Sequence, residues 1–245
     1  MFTLLFACTG APVSTDTGDT SPPAVEVPDG PPAPVSGTAF AFDPDGGRIA
    51  DATIGVVEVP GLQTVSDADG DYTLDVPTGS TVTLTITHPD YAAVQTASLP
   101  LPAEGVVDLD LQVPDWEMVE LLAAFVGTEL DPAMCQIAST VLRPPGAEYE
   151  VPDAEGEPGV TVTLDPPVDP ALGPVYFNIA RANLIWPDRD LTETTEDGGV
   201  LFVNVPEGVY TIEAHKAGMS FTSRLMTCRP GWIVNAGPPL GLVAQ

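Results

Sequence analysis

The same pattern of short segments occurs twice in the chain, and this repeat restricts the fold more than any other feature. Residues 64–79 (TVSDADGDYTLDVPTG) and 194–208 (TTEDGGVLFVNVPEG) each contain a threonine-rich segment, an acidic turn with glycine, an apolar segment and Val-Pro-x-Gly. An alternating segment follows each copy. A repeat on this scale predicts two tandem domains of related structure. Two further pairs of upstream segments correspond, namely 36–42 with 135–142 and 52–59 with 159–164.

Each copy has the pattern of an all-β fold. In residues 81–87 (TVTLTIT), Val82, Leu84 and Ile86 alternate with threonines, and this period of two predicts a strand with one buried face. The 23 glycines and 28 prolines divide the chain into short segments, which favours strands and turns over long helices. Short strands at intervals of about 8 to 12 residues are typical of sandwiches. We therefore expect an all-β protein with two tandem β-sandwiches.

The repeated residues also resemble a known family. A threonine, then D-G-x-Y/F, then V-P-x-G and an alternating strand is the order found in carboxypeptidase regulatory-like domains, which are prealbumin-like sandwiches grouped with carbohydrate-binding-like folds. In the second copy Val200, Leu201 and Phe202 replace the aromatic start of the strand. The resemblance covers 36–113 closely and 134–245 less closely. It implies Greek-key topology in both sandwiches.

A short helix is expected between the two copies, over residues 115–127 (DWEMVELLAAFVG). Asp115 is a suitable N-cap and Gly127 a suitable stop. The apolar face of this helix would consist of Trp116, Val119, Leu122, Ala123 and Val126. We expect it to pack on the second sandwich or between the two.

These features divide the chain into five expected parts. The second sandwich is divergent, with long insertions at 143–158 and 166–190. The parts are a short signal segment at 1–8, a disordered tether rich in Pro, Thr and Asp at 9–35, a carboxypeptidase regulatory-like sandwich at 36–113, a connecting helix at 114–130 and the second sandwich at 131–245.

The first eight residues, MFTLLFAC, resemble the lipobox of bacterial lipoproteins. Leu5 fills the −3 position, Ala7 the −1 position, and Cys8 the site of lipidation; Phe6 is larger than the usual −2 residue. The segment is short and has no positively charged region, unlike a full signal peptide. The resemblance implies a membrane anchor at Cys8 and a location in the cell envelope, at the outer membrane or cell surface. The alternative is an unprocessed apolar N-terminal stub.

The chain is strongly acidic, with 35 Asp and Glu against seven Lys and Arg and a formal net charge of −28. Such a charge repels phosphate backbones, so nucleic acid is excluded as a partner. The acidity serves either solubility or the binding of divalent cations. Asp67, Asp69 and Asp71 have the spacing of a weak calcium loop, but an acidic glycine turn of this kind also serves simply to join two strands.

The three cysteines have two expected uses. Cys8 is the lipidation site, and Cys135 and Cys228 flank the second sandwich, where they form either a disulfide or two separate buried thiols. A disulfide would indicate an oxidising, exported location.

No catalytic motif is present in the sequence. His88 and His215 are the only histidines, no G-x-S-x-G occurs, and no zinc motif can be assembled. Lys216 is the only lysine, so an intramolecular Lys–Asn isopeptide bond in the first sandwich is excluded. We expect no enzymatic activity and no cofactor.

Exposed aromatic rings would favour a carbohydrate-binding function. Tyr176 and Trp186 lie in the long insertion of the second sandwich, where they could stack on sugar rings. The alternative is that both rings cover the core. The sequence therefore favours a monomeric, non-enzymatic envelope lipoprotein that acts as a structural or interaction module towards an envelope protein. The second hypothesis is a carbohydrate-binding module for envelope or environmental polysaccharide.

Overall fold

The computed structural model describes residues 28–42, 46–144, 155–179 and 185–245. The signal segment at 1–8, with the expected lipidation site Cys8, and most of the expected tether lie outside the described residues. Within the described part of the chain, no helix is long and apolar enough to cross a membrane.

The first half of the chain is a β-sandwich, as predicted. One sheet has the order β4-β1-β9, and the facing strands have the order β3-β2-β6-β7. Its core is built from alternating side chains such as Val82, Leu84 and Ile86, all of which are buried. The strands are β1 (Pro32–Ala41), β2 (Thr53–Val56), β3 (Gln63–Val65), β4 (Asp71–Pro77), β5 (Thr81–Val82), β6 (Leu84–His88), β7 (Tyr91–Thr96), β8 (Leu99–Pro100) and β9 (Leu111–Val113).

The first strand begins earlier than the sequence indicated. β1 starts at Pro32 rather than Ser36, and it pairs with β4 from Pro32 opposite Pro77 onward. Ala33 and Val35 are buried in this segment, because alternate side chains of a paired strand face the core. The last residues assigned to the tether therefore belong to the sheet.

The helix α1 (Trp116–Val126) has the predicted boundaries. The Oδ1 atom of Asp115 accepts a hydrogen bond from the Met118 amide at 2.7 Å, and Gly127 ends the helix in the left-handed conformation at φ 71°. Val119 and Val126 are buried as expected, but Trp116 is 52% exposed, so this part of the predicted face is wrong. Trp116 is the first helical residue and lies at the margin of the buried stripe.

The second half forms another sandwich. Its sheets have the orders β11-β15-β16 and β13-β12-β14-β10-β17, and β18 pairs with the end of β10. The elements are β10 (Cys135–Leu142), β11 (Thr161–Asp165), the 3-10 turn η1 (Pro170–Leu172), β12 (Val175–Ile179), β13 (Ile185–Asp188), β14 (Gly199–Val205), β15 (Gly208–His215), β16 (Arg224–Cys228), β17 (Ile233–Ala236) and β18 (Leu242–Val243).

Two glycines, one in each copy of the repeat, have the same conformation and the same close contact with the first strand of their sandwich. Gly70 and Gly198 both have positive φ, at 79° and 75°. A Cβ atom at Gly70 would lie 2.5 Å from the carbonyl oxygen of Ala39 in β1, and one at Gly198 would lie 2.3 Å from that of Val141 in β10. Only glycine fits where the turn meets the first strand of each sandwich.

A pair of buried hydroxyl groups is repeated in the same way. The Oγ of Ser66 accepts from the Ala52 amide and donates to the Ile49 carbonyl. The Oγ1 of Thr194 accepts from the amide of Val160 and donates to the carbonyl of Glu157. Ser66 is thus the structural counterpart of Thr194, two residues away from the correspondence that the sequence suggested.

The two sandwiches share one sheet. β17 pairs in parallel with β10 of its own sandwich and also with β7 of the first, with Val234 opposite Gln95. Nine strands thereby form a continuous sheet from β13 to β3. This arrangement was not predicted, because pairing between strands far apart in sequence leaves no local signal.

The predicted disulfide between Cys135 and Cys228 is confirmed. The two Cα atoms are 5.7 Å apart, and the bond joins β10 to β16. These strands belong to the opposite sheets of the second sandwich, so the bond fastens its two layers across the core.

Candidate functional site

An apolar groove lies on the outer face of the shared sheet. Alternate residues of β10 face opposite ways: Ile137 and Val141 enter the core, whereas Ala138 and Thr140 line the groove. The groove has a volume of about 560 Å³. This value lies within the range of about 300 to 1,000 Å³ that is usual for small-ligand sites.

Three parts of the fold wall the groove. Helix α1 contributes Val119 and Leu122, and the first sandwich contributes Phe40 and Phe42 at the end of β1. Strands β12 and β13 close the third side. Their contribution comes from Phe177, Ile179 and Ile185.

The helix is held over this face by a small cluster of its own. Val126 packs with Val175, Leu201 and Val203, which lie on the groove side of β12 and β14. The side chain of Arg189 donates from Nε to the carbonyl of Val126 at 2.8 Å and so satisfies a carbonyl at the helix end. The wall formed by α1 is therefore fixed at its C-terminal end.

Two of the three amide side chains that line the groove, those of Asn235 and Gln136, are engaged with the protein. Asn235 donates from Nδ2 to the Gln112 carbonyl at 3.2 Å and accepts from the Gly237 amide at 2.9 Å. Gln136 accepts from the amide of Asn204 at 2.8 Å. These groups shape the groove and leave its interior mainly apolar.

The charged side chains that line the groove are acidic. Asp197 and Glu155 lie at the end of the groove near Leu142, and no basic residue lines it in the described part of the chain. Burial raises the pKa of the Asp197 carboxyl above its ordinary value, and the Gly199 amide, which donates to its Oδ1, offsets this effect in part. Asp197 is thus a carboxyl group in a poorly hydrated position.

Two of the three aspartates of the acidic turn, Asp67 and Asp71, are hydrogen-bonded within the fold. Asp67 Oδ1 accepts from the amides of Asp69 and Asp71 at 2.9 and 3.0 Å, so it closes the turn. Asp71 accepts from the hydroxyl of Thr38. Among the described residues no group of three His, Cys, Asp or Glu side chains is arranged to hold a metal ion. The hydrogen bonds give Asp67 a role in turn formation, and weak calcium binding at these residues stays a prediction.

The two predicted stacking rings have different surroundings. Tyr176 is 2% exposed and its hydroxyl accepts from the Val162 amide at 2.9 Å, so it is a core residue and offers no face to a sugar. It lies on strand β12 rather than in a displayed loop, and the pairing of β12 with β14 turns it inward. Trp186 is only partly buried, on the edge strand β13 beside Asn178.

The histidines and the lysine have local roles. His88 Nδ1 accepts from the amide of Asp90, and His215 Nε2 shares a hydrogen bond with the hydroxyl of Thr163. Lys216 forms an ion pair with Glu157, whose side chain is 8% exposed.

The groove itself was missed at the sequence level. Its α1 residues Val119 and Leu122 belong to the predicted apolar face, but their spacing is the same for a groove wall as for a core contact.

Comparisons with known proteins find β-sandwich structures at low identity. No family model and no curated protein matches the chain. The chain is similar to the Bacillus anthracis TIE protein, with 13% identity and a TM-score of 0.26, over 84% of this chain and 34% of that one. It therefore spans about a third of the TIE protein.

Two pilins give similar values. For GBS52, the minor pilin of Streptococcus agalactiae, the identity is 10% and the TM-score 0.28, over 86% of this chain and 95% of that one. For the shaft pilin SpaA of Lactobacillus rhamnosus GG they are 10% and 0.27, over 87% and 97%. At these identities and TM-scores the likeness carries no conclusion about this chain, and it shows neither a carboxypeptidase regulatory-like domain nor a lipoprotein.

Proposed function

We propose that the protein is an exported, non-enzymatic interaction module, which a lipid on Cys8 holds at the cell envelope and whose groove receives a partner. The observation that carries this proposal is the apolar groove beside α1. Concave apolar surfaces of this size are the usual form of a binding site.

Export is supported by the disulfide. The Cys135–Cys228 bond is buried at both cysteines, and disulfides of this kind persist in oxidising compartments outside the cytosol. The lipobox-like residues Leu5, Ala7 and Cys8 supply the anchor in this proposal, and the acidic stretch after them supplies the spacer.

A rigid base for the groove is supported by the shared sheet. β17 contributes Ile233 and Asn235 to the groove and pairs with strands of both sandwiches. Because the strands that form the floor of the groove belong to one continuous sheet, the groove is preformed in this proposal. A preformed site loses less conformational entropy on binding.

The groove is tested with the neutral apolar dye Nile red. We expect saturable binding with a blue-shifted emission, which Ala138→Trp removes by filling the groove. Ala103→Trp, at an exposed turn, is the matched control and keeps the signal. Thermal unfolding checks that each variant folds, and Thr140→Trp provides a second groove position. Equal dye binding in all variants contradicts the proposal.

The anchor is tested by mass spectrometry of the membrane fraction. The expected species begins at a diacylglyceryl-modified Cys8, and Cys8→Ser releases the protein from the membrane. A membrane-free protein that retains an unmodified Cys8 contradicts this part of the proposal and leaves the groove unaffected.

A second candidate function is glycan binding at Trp186. The partly exposed ring lies beside Asn178, whose Nδ2 donates to Asp188 at 2.9 Å, so an aromatic face and polar groups occur together. Affinity electrophoresis in polysaccharide gels tests it. Retardation of the wild type that Trp186→Ala abolishes is the expected result, and no retardation on any glycan rejects it.

A further inference from the structure

Exposed apolar side chains are concentrated on α1 and β13, two of the elements that wall the groove, although only Ile185 among them lines it. Trp116, Leu121 and Phe125 of α1 are 52%, 49% and 51% exposed, and Ile185 of β13 is 45% exposed. These four account for half of the eight large apolar residues that are exposed in the described part of the chain. Apolar surface of this kind beside a groove is typical of a site that a protein partner covers.

The charged side chains that line the groove, and the exposed ones on the α1 residues beside Leu121, have one sign. Glu117 and Glu120 are exposed on α1, next to Leu121. Asp197 and Glu155 line the other end of the groove. Arg143, whose amide donates to the Glu155 carbonyl, and Arg189, at the end of α1, do not line it. An occupant with basic groups is therefore complementary to the groove, and one with acidic groups is repelled.

Asp197 is the group best placed to receive such a base. Its Oδ1 is occupied by the Gly199 amide, whereas Oδ2 has no hydrogen-bond partner among the described residues. A hydrogen bond from a charged donor contributes more binding free energy at a poorly hydrated carboxylate oxygen than at an exposed one, because water screens the exposed charge.

Resting on the proposed function of the groove, we propose that its occupant is a segment of a partner protein that carries apolar side chains followed by Arg or Lys. The apolar side chains lie between α1 and the strands β10 and β14. The basic side chain reaches Asp197 and Glu155 at the Leu142 end. The chain's own charge of −28 opposes a second copy in this place, and the acidic end opposes a fatty acid or phospholipid head group.

The test is isothermal titration calorimetry of the full chain with two capped peptides. One is acetyl-Leu-Val-Leu-Gly-Arg-Arg-amide, and the other has Glu-Glu in place of Arg-Arg. We expect saturable binding of the Arg peptide, no detectable binding of the Glu peptide, and weaker binding of a scrambled Arg peptide.

Matched variants separate the groove from general charge attraction. Asp197→Asn should weaken the Arg peptide by about tenfold, because it removes one charge-assisted contact. Asp90→Asn removes the same charge from a side chain that is 84% exposed on the β6–β7 turn and does not line the groove, and should leave the affinity unchanged. Ala138→Trp should abolish binding, whereas Ala103→Trp should not.

The outcomes distinguish this proposal from the proposed function. Equal binding of the Glu or scrambled peptide, or equal effects of Asp197→Asn and Asp90→Asn, overturns the proposal. Failure of the Arg peptide, with Nile red still lost in Ala138→Trp, overturns the partner class alone. Two other results would also overturn the partner class alone. One is a dimer in sedimentation that Ala138→Trp abolishes, and the other is displacement of Nile red by myristate but not by the Arg peptide. Failure of dye and peptide together overturns both.

Discussion

The guanidinium group of Arg229 donates from Nε to the Oε1 atom of Gln95, across the join between the two sandwiches. Gln95 is 1% exposed, and its Nε2 donates to the carbonyl of Thr227, so both ends of the amide are bonded to the second sandwich. The guanidinium carbon lies 4.1 Å from the ring centroid of Trp232. Burial lowers the pKa of Arg229, and Glu58 counteracts this effect.

We therefore expect Arg229→Met to destabilise the protein by about 1 to 3 kcal/mol, because it leaves a buried amide oxygen without its donor. Gln95→Leu should have a similar cost, and the double variant should cost less than the sum. Urea unfolding of the four proteins measures this coupling. Additive effects would show that the two side chains act independently.

The disulfide should contribute a large share of the stability of the second sandwich. Cys135 and Cys228 are separated by 93 residues, and closing a loop of this length restricts the unfolded chain by about 3 to 5 kcal/mol. Cys135→Ser with Cys228→Ser, or reduction of the wild type, should lower the unfolding free energy by this amount in guanidinium titrations. Cys8→Ser is the control and should have no effect. Two thiols that alkylate without reductant would contradict the bond.

The repeated hydroxyl groups should have equal importance in the two sandwiches. Ser66→Ala and Thr194→Val each remove a group that bonds one buried amide and one carbonyl, so each should cost about 1 to 3 kcal/mol. Thr73→Val, on the exposed face of β4, is the matched control and should change little. Urea midpoints measure all three. A large difference between the first two variants would argue against their structural equivalence.

At neutral pH the wild-type protein should be less stable than the Asp197→Asn variant. The pKa of this carboxyl is raised by burial in the folded state, so the folded protein binds its proton more tightly than the unfolded chain does. Asp197→Asn should therefore be more stable than the wild type above the raised pKa. This advantage should shrink as the pH falls through the raised pKa, and vanish below the ordinary pKa of aspartate.

Urea unfolding of the wild type and Asp197→Asn between about pH 3 and pH 8 would measure the difference in stability. This range begins below the ordinary pKa of aspartate. Asp90→Asn, which removes the same charge from a side chain that is 84% exposed, is the matched control. A wild type that is more stable than Asp197→Asn at neutral pH would reverse the expected sign. Together with weaker peptide binding, the expected result would mean that Asp197 is retained at a cost in stability, as is common for binding groups.

Much of the fold could be predicted because its signals are local. The boundaries of α1 follow from two residues, Asp115 and Gly127, whose side-chain chemistry satisfies or ends a helix without help from the rest of the chain. The buried faces of the strands follow from period-two alternation, as at Val82, Leu84 and Ile86. The pairing of Cys135 with Cys228 was one of two open possibilities, and only the approach of β10 to β16 decided it.

The sequence by itself determined the all-β class, the duplication, the helix and the absence of recognised catalytic motifs, since each depends on spacing along a short stretch. Tertiary structure decided that β17 joins two sandwiches into one sheet, because that pairing brings together Val94 and Ile233 with nothing in either strand to specify its partner. It also decided the surroundings of the aromatic residues, since the pairing of β12 turns Tyr176 into the core and Phe177 toward the groove. The groove forms only when β17 has paired with both sandwiches and β12 has paired with β14. For this reason its residues could not be recognised from the sequence.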